Sequence, residues 1–112
     1  MRKIEAIIKP HQIEMVKSDL LAAGVQGMTV YEVQGFGRQK GQPDIYSGSE
    51  YLVDFVPKLK VEVLAADGDA DRIADVIAGA ARTGKIGDGK VYITDLEKVI
   101  RIRTGEQDED AV

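Results

Sequence analysis

The stretch TGKIGDGK at residues 83–90 holds three glycines and two lysines in eight positions, and its place between a helix and a strand bears on the fold. It nearly matches the P-loop pattern G-x-x-x-x-G-K-[ST], but Val91 stands where the magnesium-binding hydroxyl belongs. A P-loop follows a strand and opens a helix, whereas here a helical pattern precedes the stretch and a strand pattern follows it. The stretch is therefore not a Walker ATPase site.

The same stretch can still bind an anion. Glycine amides are free to point at phosphate oxygens, and Lys85 and Lys90 can neutralise their charge. The alternative is a helix-to-strand turn that requires glycine for its backbone alone. The glycines by themselves do not separate these two interpretations.

Hydrophobic periodicity on either side of this stretch predicts the secondary structure. We expect strands at residues 2–9, 28–33, 51–64, 90–94 and 99–103. A first helix follows Pro10, carries Ile13, Val16, Leu20 and Leu21 on its apolar stripe, and stops at Gly24. A second helix follows a turn at residues 67–69, is capped by Asp69 or Asp71, and ends near residue 82.

This order of elements predicts the α+β class. Two β-α-β halves with a terminal extra strand indicate a ferredoxin-like βαββαβ sandwich, in which two helices cover a four-stranded antiparallel sheet. About 14 residues from Gly37 onward have no periodicity, and loops of that length are functional or disordered.

Composition limits the function classes. The chain has 112 residues, which is one domain, and no apolar run approaches the ~20 residues of a membrane helix. Residues 1–9 do not resemble a signal peptide, and the absence of cysteine excludes disulfides, so we expect a cytosolic protein. A net charge of −4 argues against nucleic acid or an anionic membrane as partner. Locally clustered bases favour a small anionic ligand, with a solvated surface as the alternative.

Two arginines add to the anion hypothesis. Arg101 and Arg103 would share one face of the last predicted strand, where paired guanidiniums suit phosphate oxygens. The alternative is that they pair with a carboxylate such as Glu62.

Catalytic groups are scarce, because His11 is expected at the surface and no serine has an evident base. The residues indicate a binder of anions and not an enzyme.

Four motifs together resemble those of a known family. GFGRQKGQ at residues 35–42, GSEY at 48–51, TGKIGDGK at 83–90 and RIRTGE at 101–106 are similar to the signatures of the PII nitrogen-regulatory signalling proteins. The resemblance covers the whole chain as one PII-like domain. It implies a homotrimer with a T-loop at about residues 37–55, a B-loop at about 82–90 and a C-terminal loop at about 102–112.

The resemblance also implies ligands. Clefts between subunits would bind ATP or ADP, and with magnesium-ATP also 2-oxoglutarate. The implied nucleotide-binding residues are Thr29, Gly37, Arg38, Gln39, Leu64, Gly87, Asp88, Gly89, Lys90, Arg101, Ile102 and Arg103. The implied 2-oxoglutarate residues are Gln39, Lys40, Lys58 and Gly87, and Gln39 would also hold Mg²⁺.

The T-loop would carry regulation. Tyr51 matches a tyrosine that receives a nucleotidyl group in many relatives, and Ser49 matches a serine that is phosphorylated in some. Implied targets are an ammonium channel, a nucleotidylyltransferase, a sensor kinase or an arginine-pathway kinase, with membrane contact only through the channel. Ser47 departs from the common pattern, which has arginine before Gly48, and this implies weaker channel blocking.

Two other functions fit the same predicted fold. One is a ferredoxin-like phosphotransferase, against which the missing base and hydroxyl count. The other is a trimeric interaction module that has no nucleotide site. Such a module would not require Gly87, Gly89, Lys90, Arg101 and Arg103 together.

Overall fold

A computed structural model describes residues 1–37 and 54–112 of the chain. Its strands are β1 (Arg2–Ile8), β2 (Thr29–Gly35), β3 (Val56–Ala65) and β4 (Lys90–Asp95), and its α-helices are α1 (Ile13–Ala22) and α2 (Asp67–Ala81). The strands form one sheet in the order β2-β3-β1-β4, and every neighbouring pair is antiparallel. The predicted ferredoxin-like α+β fold is therefore confirmed.

The core lies between the sheet and the two helices. Alternate residues of β1 and β3 point at the helices because side chains of a strand alternate between its two faces. The buried side chains include Ile4, Ala6, Ile8, Val61 and Val63 from the sheet, and Val16, Leu20, Ile73 and Ile77 from the helices. This apolar layer fixes which face of each strand remains for other uses.

The structure confirms most of what was predicted for the first helix. Pro10 begins a 3-10 turn after β1, and α1 ends just before Gly24, whose φ of +89° is the left-handed conformation that glycine adopts readily. At this end of the helix, the Val25 amide donates a hydrogen bond of 3.0 Å to the carbonyl of Leu20. Leu21, however, is 61% exposed, so its assignment to the apolar stripe is wrong.

The start of the second helix differs from its prediction. Residues 67–69 are its first turn, and Ala66 occupies the N-cap position without a side-chain hydrogen bond. Asp69 and Asp71 are therefore not caps. Carboxylates in a first helical turn are stabilised by the helix dipole, so the acidic residues that suggested a turn and a cap fit inside the helix.

The prediction of a last strand at residues 99–103 is wrong. Residues 99–103 contribute a single bridge, between Ile100 and Gln107, and the chain turns in between. The Gly105 amide donates to the carbonyl of Arg101 at 2.8 Å, and the Arg101 amide donates to the carbonyl of Glu106 at 2.8 Å. A strand requires a partner, and in the described parts of this chain residues 99–103 pair with no strand of the sheet.

The third strand begins later than predicted. Residues 54 and 55 are not in β3, and residues 51–53 lie outside the described residues. Phe36 and Phe55, which follow β2 and precede β3, stack edge to face with ring centroids 5.3 Å apart. The two chain ends that flank residues 38–53 therefore lie side by side.

The sheet face opposite the helices is charged. Glu5 of β1 is only 8% exposed, and its carboxylate lies 3.4 Å from the ammonium groups of both Lys3 and Lys60. Lys60 also lies 4.7 Å from the centre of the Tyr31 ring. Neither the burial of Glu5 nor this network was predicted, because strand alternation alone assigns a glutamate to solvent.

Candidate functional site

The strand register defines two ends of the sheet. Because neighbouring strands are antiparallel, β1 and β2 end where β3 and β4 begin. We call this end of the sheet the loop end. Lys58 is the third residue of β3 there, and Lys90 pairs with Ile7 at the start of β4. The glycine- and lysine-rich residues 83–89 connect α2 to β4 at this end.

The Asp88 carboxylate holds residues 83–88 together. Its Oδ2 accepts the backbone amides of Thr83 at 2.9 Å and Gly84 at 2.8 Å, and its Oδ1 accepts the Thr83 hydroxyl. The Lys9 ammonium, at the end of β1, lies 3.2 Å from Asp88 Oδ1 and donates to Thr83 Oγ1 at 3.0 Å. We call these three side chains the Asp88 clasp.

These contacts favour the ionised carboxylate. The hydrogen bond from the Thr83 side chain lowers the pKa of Asp88 far below its usual range, and the amides of Thr83 and Gly84 and the Lys9 ammonium act in the same direction. Partial burial opposes them and is outweighed. The clasp is therefore charged and closed at neutral pH.

Two glycines of the loop meet β1 and β3. Gly87 has φ of +97°, and its carbonyl accepts a hydrogen bond from Lys58 Nζ at 2.6 Å. Gly89 has φ of +95°, and a Cβ placed on it would lie 1.7 Å from the carbonyl oxygen of Ile7. Both the backbone conformation and the close approach require glycine at position 89, so the turn interpretation explains that residue in full.

A second group of predicted residues lies at the opposite end. Thr29, Leu64 and Arg101 line a cavity of about 780 Å³ together with Glu62 and the segment Gly24–Met28. Thr29 pairs with Glu62, and Leu64 pairs with Lys3, which places them at the far end from Lys58. Leu64 lies six residues beyond Lys58, which is about 20 Å along a strand.

The arginines are arranged differently from the prediction. Arg101 and Arg103 do not share a strand face, because residues 101–104 form the turn of a short hairpin. The Arg101 guanidinium lies 3.9 Å from the Glu106 carboxylate, and both side chains are nearly half exposed. The partner is therefore Glu106 and not Glu62, although Glu62 lines the same cavity as Arg101. Ile102 is 98% exposed at the tip of the turn.

Several predicted residues cannot be placed. Arg38, Gln39, Lys40, Ser47, Ser49 and Tyr51 lie outside the described residues. Gly37 is the last residue described before them and follows β2 at the loop end. The structure thus brings Gly37, Lys58, Gly87, Gly89 and Lys90 to one end and Thr29, Leu64 and Arg101 to the other.

Sequence reasoning missed the side chains of the clasp. Thr83 and Lys9 were not assigned a role, and Asp88 was expected to hold phosphate, although its carboxylate points at Thr83, Gly84 and Lys9. The Thr-x-x-x-x-Asp spacing after a helix end was the only available signal. Nothing in the sequence shows that Lys9, 79 residues before Asp88, reaches it.

Two further features concern residues 1–37 and 54–112. In these ranges no three histidine, aspartate or glutamate side chains cluster as metal ligands. Neither described α-helix has the length and apolar character needed to span a bilayer.

The fold and the loop between α2 and β4 define a ferredoxin-like protein with a glycine- and lysine-rich connection at one end of its sheet. Residues 1–106 match the family Nitrogen regulatory protein P-II. The relatives named Nitrogen regulatory protein P-II from Pasteurella multocida, Rhizobium meliloti and Nostoc punctiforme are 54%, 55% and 57% identical over 112 residues, which is 100% of each chain. The chain belongs to the P-II family of nitrogen regulatory proteins. The resemblance found in the sequence is thus confirmed, and the family is one of regulators and not of enzymes.

Proposed function

We propose that the protein is a homotrimeric sensor that binds ATP or ADP between two subunits and 2-oxoglutarate together with magnesium-ATP. The observation that carries this proposal is the separation of the predicted nucleotide-binding residues between the two ends of one sheet. The loop end, which carries Lys90, and the cavity end, whose cavity Arg101 lines, are about 20 Å apart along β3, so a single chain does not bring both groups to one small ligand. A neighbouring copy can supply the second group, because cyclic oligomers join two different surfaces of the same chain.

The loop end suits the phosphates. The amides flanking Gly87 and Gly89 lie in a stretch with left-handed glycines, a backbone that forms anion-binding concavities. Lys90 supplies a cation beside them at the start of β4. The Asp88 carboxylate is occupied by the clasp, so we assign phosphate contact at this position to the backbone.

The cavity end suits the nucleoside. Leu64 is 39% exposed beside the cavity and offers an apolar surface for a base, while Thr29 and Glu62 offer polar groups at its edge. Arg101 lines the same cavity and can approach phosphates that a neighbouring copy holds. Ile102 and Arg103 lie on the adjacent turn and complete the proposed set.

We assign 2-oxoglutarate to the loop end as well. Lys58 Nζ lies 2.6 Å from the carbonyl of Gly87, so its ammonium group is already directed at the phosphate-binding loop. A carboxylate is a stronger acceptor than a carbonyl and would compete for this ammonium group. Gln39 and Lys40 would complete the site, and Gln39 would hold Mg²⁺, which neutralises phosphate charge.

Regulation would pass through residues 37–55. Because Phe36 and Phe55 hold the two ends of this segment side by side at the loop end of the sheet, a ligand bound at that end can favour one shape of the segment over others. Docking of this segment on the targets named above, modification of Tyr51 or Ser49, and a cytosolic location all belong to the proposal.

Titration calorimetry tests the ligand scheme. We expect ADP and magnesium-ATP to bind, and 2-oxoglutarate to bind only when magnesium-ATP is present. Lys58→Met should abolish 2-oxoglutarate binding and retain most of the affinity for ATP. A chain that binds no adenine nucleotide would support an interaction module instead, and 2-oxoglutarate binding that is independent of magnesium-ATP would contradict the coupled site.

Sedimentation equilibrium tests the assembly. The chain has a mass of 12.2 kDa, so a trimer is readily distinguished from a monomer or a dimer. A monomer that binds ADP at full affinity would overturn the shared site.

A further inference from the structure

The Asp88 clasp joins three separate parts of the chain. Thr83 follows the end of α2, Lys9 follows β1, and Asp88 precedes β4. Lys9 is largely buried, with 17% of its side chain exposed, and Asp88 retains 25%. Such a network, shielded in part from water, holds its geometry better than an exposed ion pair does.

The clasp leaves no negative charge for a phosphate to meet. The Asp88 carboxylate receives two amides, a hydroxyl and the Lys9 ammonium, which together compensate its charge. Without these partners a carboxylate between Gly87 and Gly89 would repel the anion that the adjacent amides bind. Compensation of this charge is therefore a condition for anion binding at this loop.

The clasp also fixes the position of the loop on the sheet. Gly89 is held against the carbonyl oxygen of Ile7 in β1, two residues before Lys9, which follows that strand. Lys58 of β3 holds the carbonyl of Gly87. With Asp88 bound to Lys9 as well, three consecutive loop residues are attached to β1, to β3 and to the residue that follows β1.

We propose that Asp88, Thr83 and Lys9 are positioning residues for phosphate binding, which hold the amides around Gly87 and Gly89 in their binding arrangement before the ligand arrives. This inference rests on the proposed function, since it takes the same loop as the phosphate site. The Asp88 side chain acts through the loop backbone and does not touch the ligand. A preorganised loop spares the ligand the entropy cost of ordering it.

The test compares ADP binding by wild-type protein and the variants Asp88→Asn, Thr83→Val and Lys9→Met. Asp88→Asn keeps the size of the side chain but removes its charge and one acceptor, and Thr83→Val removes only the hydroxyl. Each variant should weaken ADP binding at least about tenfold, the effect of losing one charge-assisted hydrogen bond. Thr83→Ser should regain the affinity that Thr83→Val loses.

The matched control is Asp95→Asn at the far end of β4. It makes the same chemical change on a carboxylate whose side chain is 84% exposed and pairs with Arg2. It should bind ADP as wild-type protein does. Inorganic pyrophosphate, used as a competitor against ADP, isolates the phosphate contribution and should lose affinity in parallel with ADP in the clasp variants.

Amide hydrogen exchange separates positioning from general destabilisation. The amides of Thr83 and Gly84 should exchange faster in Asp88→Asn, while those of β1 and β3 keep their wild-type protection. If Asp88→Asn and wild-type protein bind ADP equally, the clasp is structural only and the inference is wrong. If wild-type protein itself binds no ADP, the proposed function fails, and the inference fails with it. A loss of protection over the whole sheet would also overturn the positioning role.

Discussion

At the scale of the residue, two glycines of the loop have the same backbone conformation but different surroundings. Gly84 has φ of +85° with nothing within 4 Å of an added Cβ, whereas at Gly89, with φ of +95°, a Cβ would lie 1.7 Å from the carbonyl oxygen of Ile7. Gly84→Ala should lower the free energy of unfolding by about 1 kcal/mol, which is the cost of the left-handed conformation. Gly89→Ala should lower it by about 3 kcal/mol or more, because the loop must also move away from β1.

Urea unfolding at one fixed chain concentration measures this difference. The comparison is internal, since both variants add the same methyl group at a left-handed glycine. Equal destabilisation by the two would show that Gly89 does not pack against β1 as described.

The Asp88 carboxylate also predicts a pH dependence. Its pKa in the folded protein lies below the ordinary value of 3.8, chiefly because Thr83 donates to it. Stability from this group is therefore complete above the ordinary value and is lost as the pH falls toward the lowered one. Asp88→Asn should reduce the loss of unfolding free energy between pH 6 and pH 3.

Urea unfolding at these two pH values checks the sign. Asp95→Asn removes an exposed carboxylate from the far end of β4 and serves as the control. A wild-type protein and an Asp88→Asn variant with the same acid dependence would contradict the depressed pKa of Asp88.

At the scale of the element, α2 lacks a side-chain cap. Ala66 occupies the N-cap with an extended backbone, φ of −67° and ψ of 154°, and has no hydroxyl or carboxylate to accept an amide of the first turn. Ala66→Ser should raise the free energy of unfolding by about 0.5–1 kcal/mol, since a serine oxygen can accept the amide of Gly68 or Asp69.

Ala66→Val is the matched control for the cap. It adds a larger, apolar side chain that can accept no hydrogen bond. Thermal unfolding at equal chain concentration should place Ala66→Ser above the wild-type protein and Ala66→Val at or below it. A gain in both variants would point to packing and not to capping.

Helices and strands could be predicted where a local sequence signal defines them. The alternation in β1 and the glycine after α1 are local signals, and the structure follows both. Residues 99–103 show a similar alternation but form a hairpin turn, because alternation does not say whether a partner strand is available. The turn and the cap predicted at the acidic start of α2 were wrong for a related reason. Aspartate is favoured in turns, in caps and in the first turn of a helix alike.

At the scale of the whole molecule, the position of the site depended on register. The composition of residues 83–90 predicted a phosphate loop, and its place beside Lys58 and β1 follows from the fold. The separation of Lys90 from Leu64 and Arg101 could not be obtained from the sequence without the pairing of the strands. Glu5 was missed for the same reason, because its burial depends on Lys3 and on Lys60 from the neighbouring strand.

The two-ended arrangement predicts complementation between damaged subunits. Lys90→Ala disables the loop end, and Arg101→Ala disables the cavity end, so each variant alone should lose ADP binding. If the proposed trimer forms from both variants, a site is intact where an Arg101→Ala subunit supplies the loop end and a Lys90→Ala subunit supplies the cavity end. Random mixing of equal amounts should therefore restore about a quarter of the sites.

Co-purification with two different tags, followed by ADP titration, measures the restored fraction. The control is a chain that carries both substitutions, mixed with either single variant. In that mixture the double variant supplies neither end, so no site can be complete. If each site were formed within one chain, the two single variants would restore nothing on mixing, because no subunit holds both intact ends. Restoration to about a quarter by the single variants, and none with the double variant, is the result that only a site shared between subunits produces.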